Sequence, residues 1–217
     1  MTNETIASLN SLSAEMSLLK HPFYQAWTAG TLTADRLRNY AVQYYQHVAV
    51  FPRYLSGLHS RCEDIKTRQH LLENLIDEER GPDNHPELWL RFAEALGVTR
   101  DEVLAAAPLP ATTALLHTFT HLSPTLPPAA GLAALYVYET QVAEVATAKI
   151  DGLRKFYGIE NAAGVQFFTE HRDTDPYHAK AVAELIERNH VGADDQAVAL
   201  EAARTALKAV WDLLDCV

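Results

Sequence analysis

The sequence has 217 residues and only two cysteines, a length that can bury a core without disulfides. Its formal net charge of -10 repels phosphate and its Lys and Arg residues are scattered, which excludes nucleic acid as an expected partner. There is no linker, no basic leader segment, and no uncharged run near the roughly 20 residues that span a bilayer. We expect one domain over residues 1–217, located in the cytoplasm and without a membrane partner.

Apolar residues recur at three- and four-residue spacing, and sustained strand-like alternation is missing, which predicts an all-α protein. Thr33 is a predicted N-cap, and Thr99 and Glu102 form a predicted capping box. Pro52 is expected to kink a long helix, and Gly192 to separate the last two helices. In chain order the predicted helices cover about residues 4–19, 24–29, 34–58, 64–80, 86–97, 109–125, 129–157, 162–189 and 195–214, with a short one after Thr99.

One triad of polar residues has the spacing of a metal site. His171, Asp175 and His178 stand at i, i+4 and i+7, which places all three on one face of a helix. Two imidazoles and a carboxylate are a recurrent ligand set for non-haem iron, and they suit Fe or Mn better than structural zinc. The alternative is that Asp175 only caps a helix that begins at Pro176, with two ordinary histidines beside it.

Glu139 lies inside an apolar run of a predicted long helix, where few other polar residues are available to pair with its charge. An unpaired buried carboxylate is costly, and a metal ion would compensate it. The alternative is a helix turned so that Glu139 and Glu144 both face water.

Glu78 and His85 flank a predicted helix break and add a further carboxylate and imidazole. The alternative for Glu78 is a solvated acidic run, because Asp77 and Glu79 flank it. Sites for two metals are built in helical bundles from carboxylates and histidines that project inward from facing helices. Such a centre can activate dioxygen, and nearby tyrosines can be oxidised or can relay electrons.

At these residues the chain resembles the chlamydial death-domain-associating protein family, a branch of the haem-oxygenase-like di-metal oxidases related to the PqqC and TenA folds. The resemblance spans the whole chain. Three runs carry it: Asp-Glu-Glu-Arg-Gly-Pro-Asp-Asn-His with Glu78 and His85, Tyr-Val-Tyr-Glu with Glu139, and His-Arg-Asp-Thr-Asp-Pro-Tyr-His with His171, Asp175 and His178. It implies that these six are ligands in a seven-helix haem-oxygenase-like bundle that holds two metal ions, Fe and/or Mn, and no haem.

The resemblance further implies an enzyme that makes 4-aminobenzoate, the folate precursor, from its own side chains with dioxygen and an external reductant. The aromatic ring is expected to come from Tyr24, in His-Pro-Phe-Tyr, and the amino nitrogen from Lys149. Tyr40 and Tyr138 fall where the family places tyrosines near the metals, although a tyrosine on a helix stripe is more often plain core packing. A homodimer is also expected.

Lys149 has its own physical expectation. In an apolar environment its amine would lose basicity through desolvation and be available as a free amine. The alternative is a solvent-facing or snorkelling side chain.

Other functions remain open on the sequence. The same di-metal site could act on an external fatty acid or amine through an open channel. An interaction module that binds death domains would leave the six ligand-type residues without a purpose. A haem-degrading enzyme with His21 as axial ligand would not require the clustered carboxylates, and a thiaminase lacks a cysteine in a recognisable catalytic context.

Overall fold

The fold consists of helices alone in the part of the chain that the computed structural model describes, residues 2–188 and 193–217. The side chains of several residues, Asp175 among them, lie outside this description. The described ranges contain ten α-helices and one 3-10 helix: α1 Thr2–Glu15, the 3-10 helix Leu18–Lys20, α2 Pro22–Ala29, α3 Ala34–Arg61, α4 Ile65–Glu79, α5 His85–Ala95, α6 Arg100–Ala105, α7 Pro110–Thr125, α8 Pro128–Phe156, α9 Ala162–Arg188 and α10 Ala193–Cys216. The all-α prediction is confirmed.

The predicted caps mark where two helices begin. The Thr33 side chain accepts a hydrogen bond from the Arg36 backbone N–H at the start of α3. Thr99 and Glu102 form the predicted capping box ahead of α6, in which each side chain satisfies a backbone N–H that has no partner within the helix. Helix α3 continues through Pro52 as far as Arg61.

A tight break joins α4 to α5 and brings two predicted ligands together. Gly81 has a φ of +88°, a conformation that glycine adopts without steric cost, so the chain can turn directly after α4. The Asn84 side chain then accepts a hydrogen bond from the Glu87 backbone N–H and makes His85 the first residue of α5. The last turn of α4, with Glu78, therefore lies beside the first turn of α5.

Helix α8 is the centre of the packing. It runs along α9 and α10, while α3 packs on α4, α5 and α7, and α5 packs on α9. The first turns of α8 are rich in buried small residues, from Ala129 to Ala134, which let neighbouring helices approach closely. Glu139 and Lys149 lie on the buried side of this same helix.

Three details of the predicted helices differ from the structure or are not confirmed by it. The first helix ends at Glu15 rather than near residue 19, because the Leu18 N–H donates to Gln141 Oε1 at 2.7 Å, a tertiary contact that replaces a bond within the helix. The count of seven helices is not confirmed, since short helices such as α2 and α6 stand apart from the long ones. The predicted break at Gly192 lies outside the described residues.

Helix α9 decides between the two interpretations of its polar triad. It is continuous from Ala162 to Arg188 and passes through positions 175 and 176. The alternative in which Asp175 caps a helix starting at Pro176 is therefore wrong. Across residues 2–188 and 193–217, no helix combines the length and apolar character needed to cross a membrane.

Gly152 allows α8 to touch Trp27. A Cβ atom at Gly152 would lie 2.5 Å from Trp27 Cδ1, and the fully buried indole is also held by a hydrogen bond from its Nε1 to the Lys149 carbonyl oxygen. We expect Gly152→Ala to lower the free energy of unfolding by about 1–2 kcal/mol through overpacking, despite the better helix propensity of alanine. Urea denaturation measures the change. Thr147→Ala, on the exposed side of α8, is the control and should stay within about 0.5 kcal/mol; equal stabilities would contradict the close contact.

Candidate metal centre

Glu78 and His85 form the first part of the site. Glu78 is 5% exposed, whereas its neighbours Asp77 and Glu79 face solvent, so the interpretation of a solvated acidic run is wrong for Glu78. Its Oε2 lies 2.8 Å from His85 Nδ1. Burial lowers the pKa of His85, but Glu78, together with Asp77 and Glu170, raises it by more, so the net shift is upward. The two side chains therefore form a close acid–base pair.

His171 is oriented by the backbone of its own helix. Its Nδ1 lies 2.7 Å from the Phe167 carbonyl oxygen, which can only accept, so Nδ1 carries the hydrogen and the Nε2 lone pair is free. Burial and the neighbouring His85 lower the pKa of His171 well below its usual value, which keeps the imidazole neutral. A neutral ring with its second nitrogen hydrogen-bonded is the usual form of a metal-bound histidine.

Possible ligand atoms of Glu78, His85 and His171 all lie within 4.8 Å of one another. These residues come from α4, α5 and α9, and the rings of His85 and His171 are 4.3 Å apart. Three helices therefore supply one compact set of donors, which contains three of the six predicted ligands.

Glu139 completes the carboxylate side of the site. It is 4% exposed, and Asn74 Nδ2 donates a hydrogen bond to its Oε1 at 2.9 Å, while Oε2 has no partner among the described protein atoms. Burial raises the pKa of Glu139 to about 8. Glu139 is buried whereas Glu144 is exposed, so the alternative in which both glutamates face water is wrong. An orphaned buried carboxylate oxygen is what a cation at this position would satisfy.

His178 lines the same cavity as Glu78, Glu139 and His171. Its Nε2 lies 3.4 Å from Asp77 Oδ2, and burial lowers its pKa despite the nearby acid. The side chain of Asp175, the remaining predicted ligand, lies outside the described part of the structure. The described donors, imidazoles and carboxylates without a thiolate, fit iron or manganese.

A second cavity adjoins this one and contains Tyr24 and Lys149. It shares Tyr138, Phe167 and His171 with the cavity of the ligands. Tyr24 is 2% exposed and Lys149 is 5% exposed, so both belong to the core.

Lys149 and two tyrosines form a short polar chain within this cavity. Lys149 Nζ donates to Tyr40 Oη at 2.6 Å, and Tyr40 Oη lies 3.5 Å from Tyr24 Oη. The ammonium position is 5.5 Å from the centre of the Tyr24 ring. Burial lowers the pKa of Lys149 to about 7, which agrees with the predicted loss of basicity, and the solvent-facing alternative is wrong.

Tyr138 also takes part in a hydrogen bond, since its Oη lies 2.7 Å from Tyr44 Oη.

Both ring nitrogens of His21, the axial ligand that a haem enzyme would use, contact other protein atoms. Its Nδ1 accepts a hydrogen bond from the Phe23 backbone N–H, and its Nε2 lies 3.1 Å from Asp215 Oδ1.

The sequence analysis missed two polar residues that line the ligand cavity, Asn74 and His47. The helical repeat indicates that each of them shares a helix face with a residue that the sequence analysis did consider. Asn74 stands four residues before Glu78, and His47 stands three residues after Tyr44 on the inward stripe of α3.

The all-α fold and its buried cluster of carboxylates and histidines define a class of protein, and similarity to known proteins identifies that class. The chain belongs to the iron-containing redox enzyme family, whose model matches residues 38–211. A protein from Nitrosomonas europaea named 4-aminobenzoate synthase is 42% identical over 99% of this chain and 91% of its own length. One of the same name from Chlamydia trachomatis is 42% identical over 91% of this chain and 85% of its own.

The fold comparison agrees with the family. The structure of a TenA homologue from Pseudomonas syringae superposes with a TM-score of 0.82 at 18% identity, covering 98% of this chain and 90% of that one. The predicted haem-oxygenase-like, TenA-like architecture and the resemblance on which it was based are confirmed.

Asn74 holds Glu139 in place, and its removal tests that role. We expect Asn74→Ala to weaken iron binding about 10- to 100-fold, as for other residues that orient a ligand through a hydrogen bond. Competition with a coloured chelator measures the affinity. Asn74→Asp keeps the shape but places a second acid beside the carboxylate, and it should also alter the affinity. Unchanged binding in both variants would contradict the role.

Lys149 makes the stability of the metal-free protein depend on pH. Its pKa is about 7 in the folded protein and 10.5 in the unfolded chain, so in this window the unfolded chain holds more protons and rising pH favours folding. At pH 7 and below, the folded protein carries the cost of a buried charge, which is on the order of a few kcal/mol. Relative to Lys149→Met, the wild type should gain stability as pH rises towards 10.

Urea denaturation of the metal-free proteins at the two ends of this window measures the effect. Lys155→Met, an exposed lysine near the end of α8, is the matched control. Its stability difference from wild type should change little with pH. A Lys149→Met difference that is equally flat would show that the buried amine keeps its ordinary basicity.

Proposed function

We propose that this chain makes 4-aminobenzoate from its own side chains, with the aromatic ring supplied by Tyr24 and the amino nitrogen by Lys149. The two relatives named 4-aminobenzoate synthase, each 42% identical to most of this chain, support this function. The cavity that contains both side chains supports the internal source. Dioxygen and an external reductant are the proposed co-reactants.

One observation carries the proposal. His171 lines the cavity of the ligands and also the cavity that contains Tyr24 and Lys149. A reactive centre held by His171 would therefore lie next to these side chains, with no substrate to bind from solution. Holding the reacting groups side by side replaces a bimolecular encounter.

Glu78, His85, Glu139, His171, Asp175 and His178 are the proposed ligands of two metal ions, Fe and/or Mn. When bound, such ions supply the oxidising chemistry that no protein side chain provides. The ligand residues would hold the ions away from bulk water, since the described carboxylates are about 95% buried.

The remaining residues prepare the reacting groups. With a pKa of about 7, Lys149 is available as a neutral amine, the nucleophilic form. Tyr40 Oη accepts its N–H and lies between it and Tyr24, so this hydroxyl can pass a proton between Nζ and Tyr24 Oη. Tyr138 joins the two cavities and is proposed to relay electrons. A homodimer and a cytoplasmic location stay predictions.

Tyr24→Phe is the direct test of the ring source. We expect this variant to bind iron as wild type does but to form no 4-aminobenzoate when iron, manganese, reductant and air are supplied. In the wild type, intact-mass analysis should record a loss that peptide mapping places at Tyr24. Tyr45→Phe, which changes a partly buried tyrosine on α3 that does not line this cavity, is the matched control and should retain product.

Isotope labels sharpen the result. Protein grown with ring-labelled tyrosine should release labelled 4-aminobenzoate, and protein with side-chain ¹⁵N lysine should transfer ¹⁵N to it. Product formed by both Tyr24→Phe and Lys149→Arg would favour an external substrate at the same centre instead.

A further inference from the structure

His47 is a polar side chain in an aromatic enclosure. It lies on α3, is 1% exposed, and has the rings of Tyr44, Phe119 and Tyr138 within 5.5 Å of its own centre. Neither ring nitrogen has a hydrogen-bond partner among the described protein atoms. A buried donor or acceptor without a partner costs about 1–3 kcal/mol, so a phenylalanine would suit this enclosure better if packing were the only role.

The position of His47 indicates where its partner would be. Its side chain lines the cavity that also contains Glu78, Glu139 and His171, and Val48 and Phe51 form the wall beside it. These two neighbours are apolar, so His47 is the polar group on the α3 side. His47 is not one of the six proposed ligands, and its nitrogens are not part of the compact donor set formed by Glu78, His85 and His171, so we assign it an outer role.

The chemical state of His47 narrows the kind of partner. Burial lowers its pKa to about 3, so the ring is neutral at physiological pH. A neutral imidazole offers one N–H donor and one acceptor nitrogen.

We propose that His47 hydrogen-bonds the exchangeable small ligand of the metal centre, a water molecule or a small anion on the side of the cavity that α3 lines. This inference rests on the proposed function only in requiring that the centre binds iron. His47 acts as a positioning residue: it fixes where a small molecule sits without holding the metal.

Azide is the probe for this site. The protein is loaded with Fe(II) without oxygen and titrated with azide, and near-infrared circular dichroism reports ligand binding at the iron itself. We expect His47→Phe to weaken azide binding about tenfold, as for one hydrogen bond to a charged ligand, with iron content unchanged. His47→Gln, which restores a donor, should recover part of the affinity. Phe51→Leu, which alters the same wall without a polar group, should change it less than twofold.

Each other outcome overturns the proposal. Equal azide affinity in wild type and His47→Phe would mean that His47 only fills space. Loss of iron in His47→Phe and His47→Gln would make it a metal ligand instead. If His47→Phe does not fold, His47→Gln and His47→Leu take its place, and equal affinity in those two variants leads to the same conclusion. A wild-type protein that binds no iron would refute the proposed function as well, whereas the other results would leave that function standing.

Discussion

The burial of the Glu139 carboxylate is the constraint on which the centre depends. A charged carboxylate in this interior needs compensation, and one amide hydrogen bond from Asn74 is not enough to keep its pKa in the usual range. In the metal-free protein a proton neutralises the group at neutral pH. A bound cation would take the place of that proton, so metal binding and proton release at Glu139 are coupled. Because α8 packs along α9, this carboxylate is held towards His171 by the core of the fold.

The same helix also buries a base. Lys149 stands ten residues after Glu139, about 15 Å further along α8. Burial moves the two pKa values in opposite directions, up for the acid and down for the base, so each group is neutral near pH 7 to 8. His171, between the two cavities, is neutral for the same reason. Burial in the interior thus favours the uncharged form of all three groups, and a bound cation or a reaction would be needed to change their charge.

The sequence was sufficient to predict most of the helices and to place the candidate ligands on them, because periodicity and caps such as Thr33 are local. It could not show that Glu78 is buried while Asp77 and Glu79 are exposed. The helical repeat gives the relative directions of these three side chains, but not which side of α4 another helix covers. It missed Asn74 and His47 because an amide and an unpaired imidazole have no motif of their own, and their meaning comes from the cavity they line. The early end of α1 was missed because the Leu18–Gln141 bond joins residues far apart in sequence.

Each candidate ligand whose side chain the structure describes has a polar partner within the protein. Glu78 pairs with His85, Glu139 with Asn74, and His171 with the Phe167 carbonyl. Oε2 of Glu139 has no partner among the described protein atoms, and at His171 the hydrogen on Nδ1 leaves the lone pair on Nε2. The hydrogen bonds of the fold therefore orient the ligands, and the atoms left over are those that a metal would bind. Glu78 and His85 are the exception, because Oε2 and Nδ1 face each other at 2.8 Å and a metal bound by these two atoms would replace their contact.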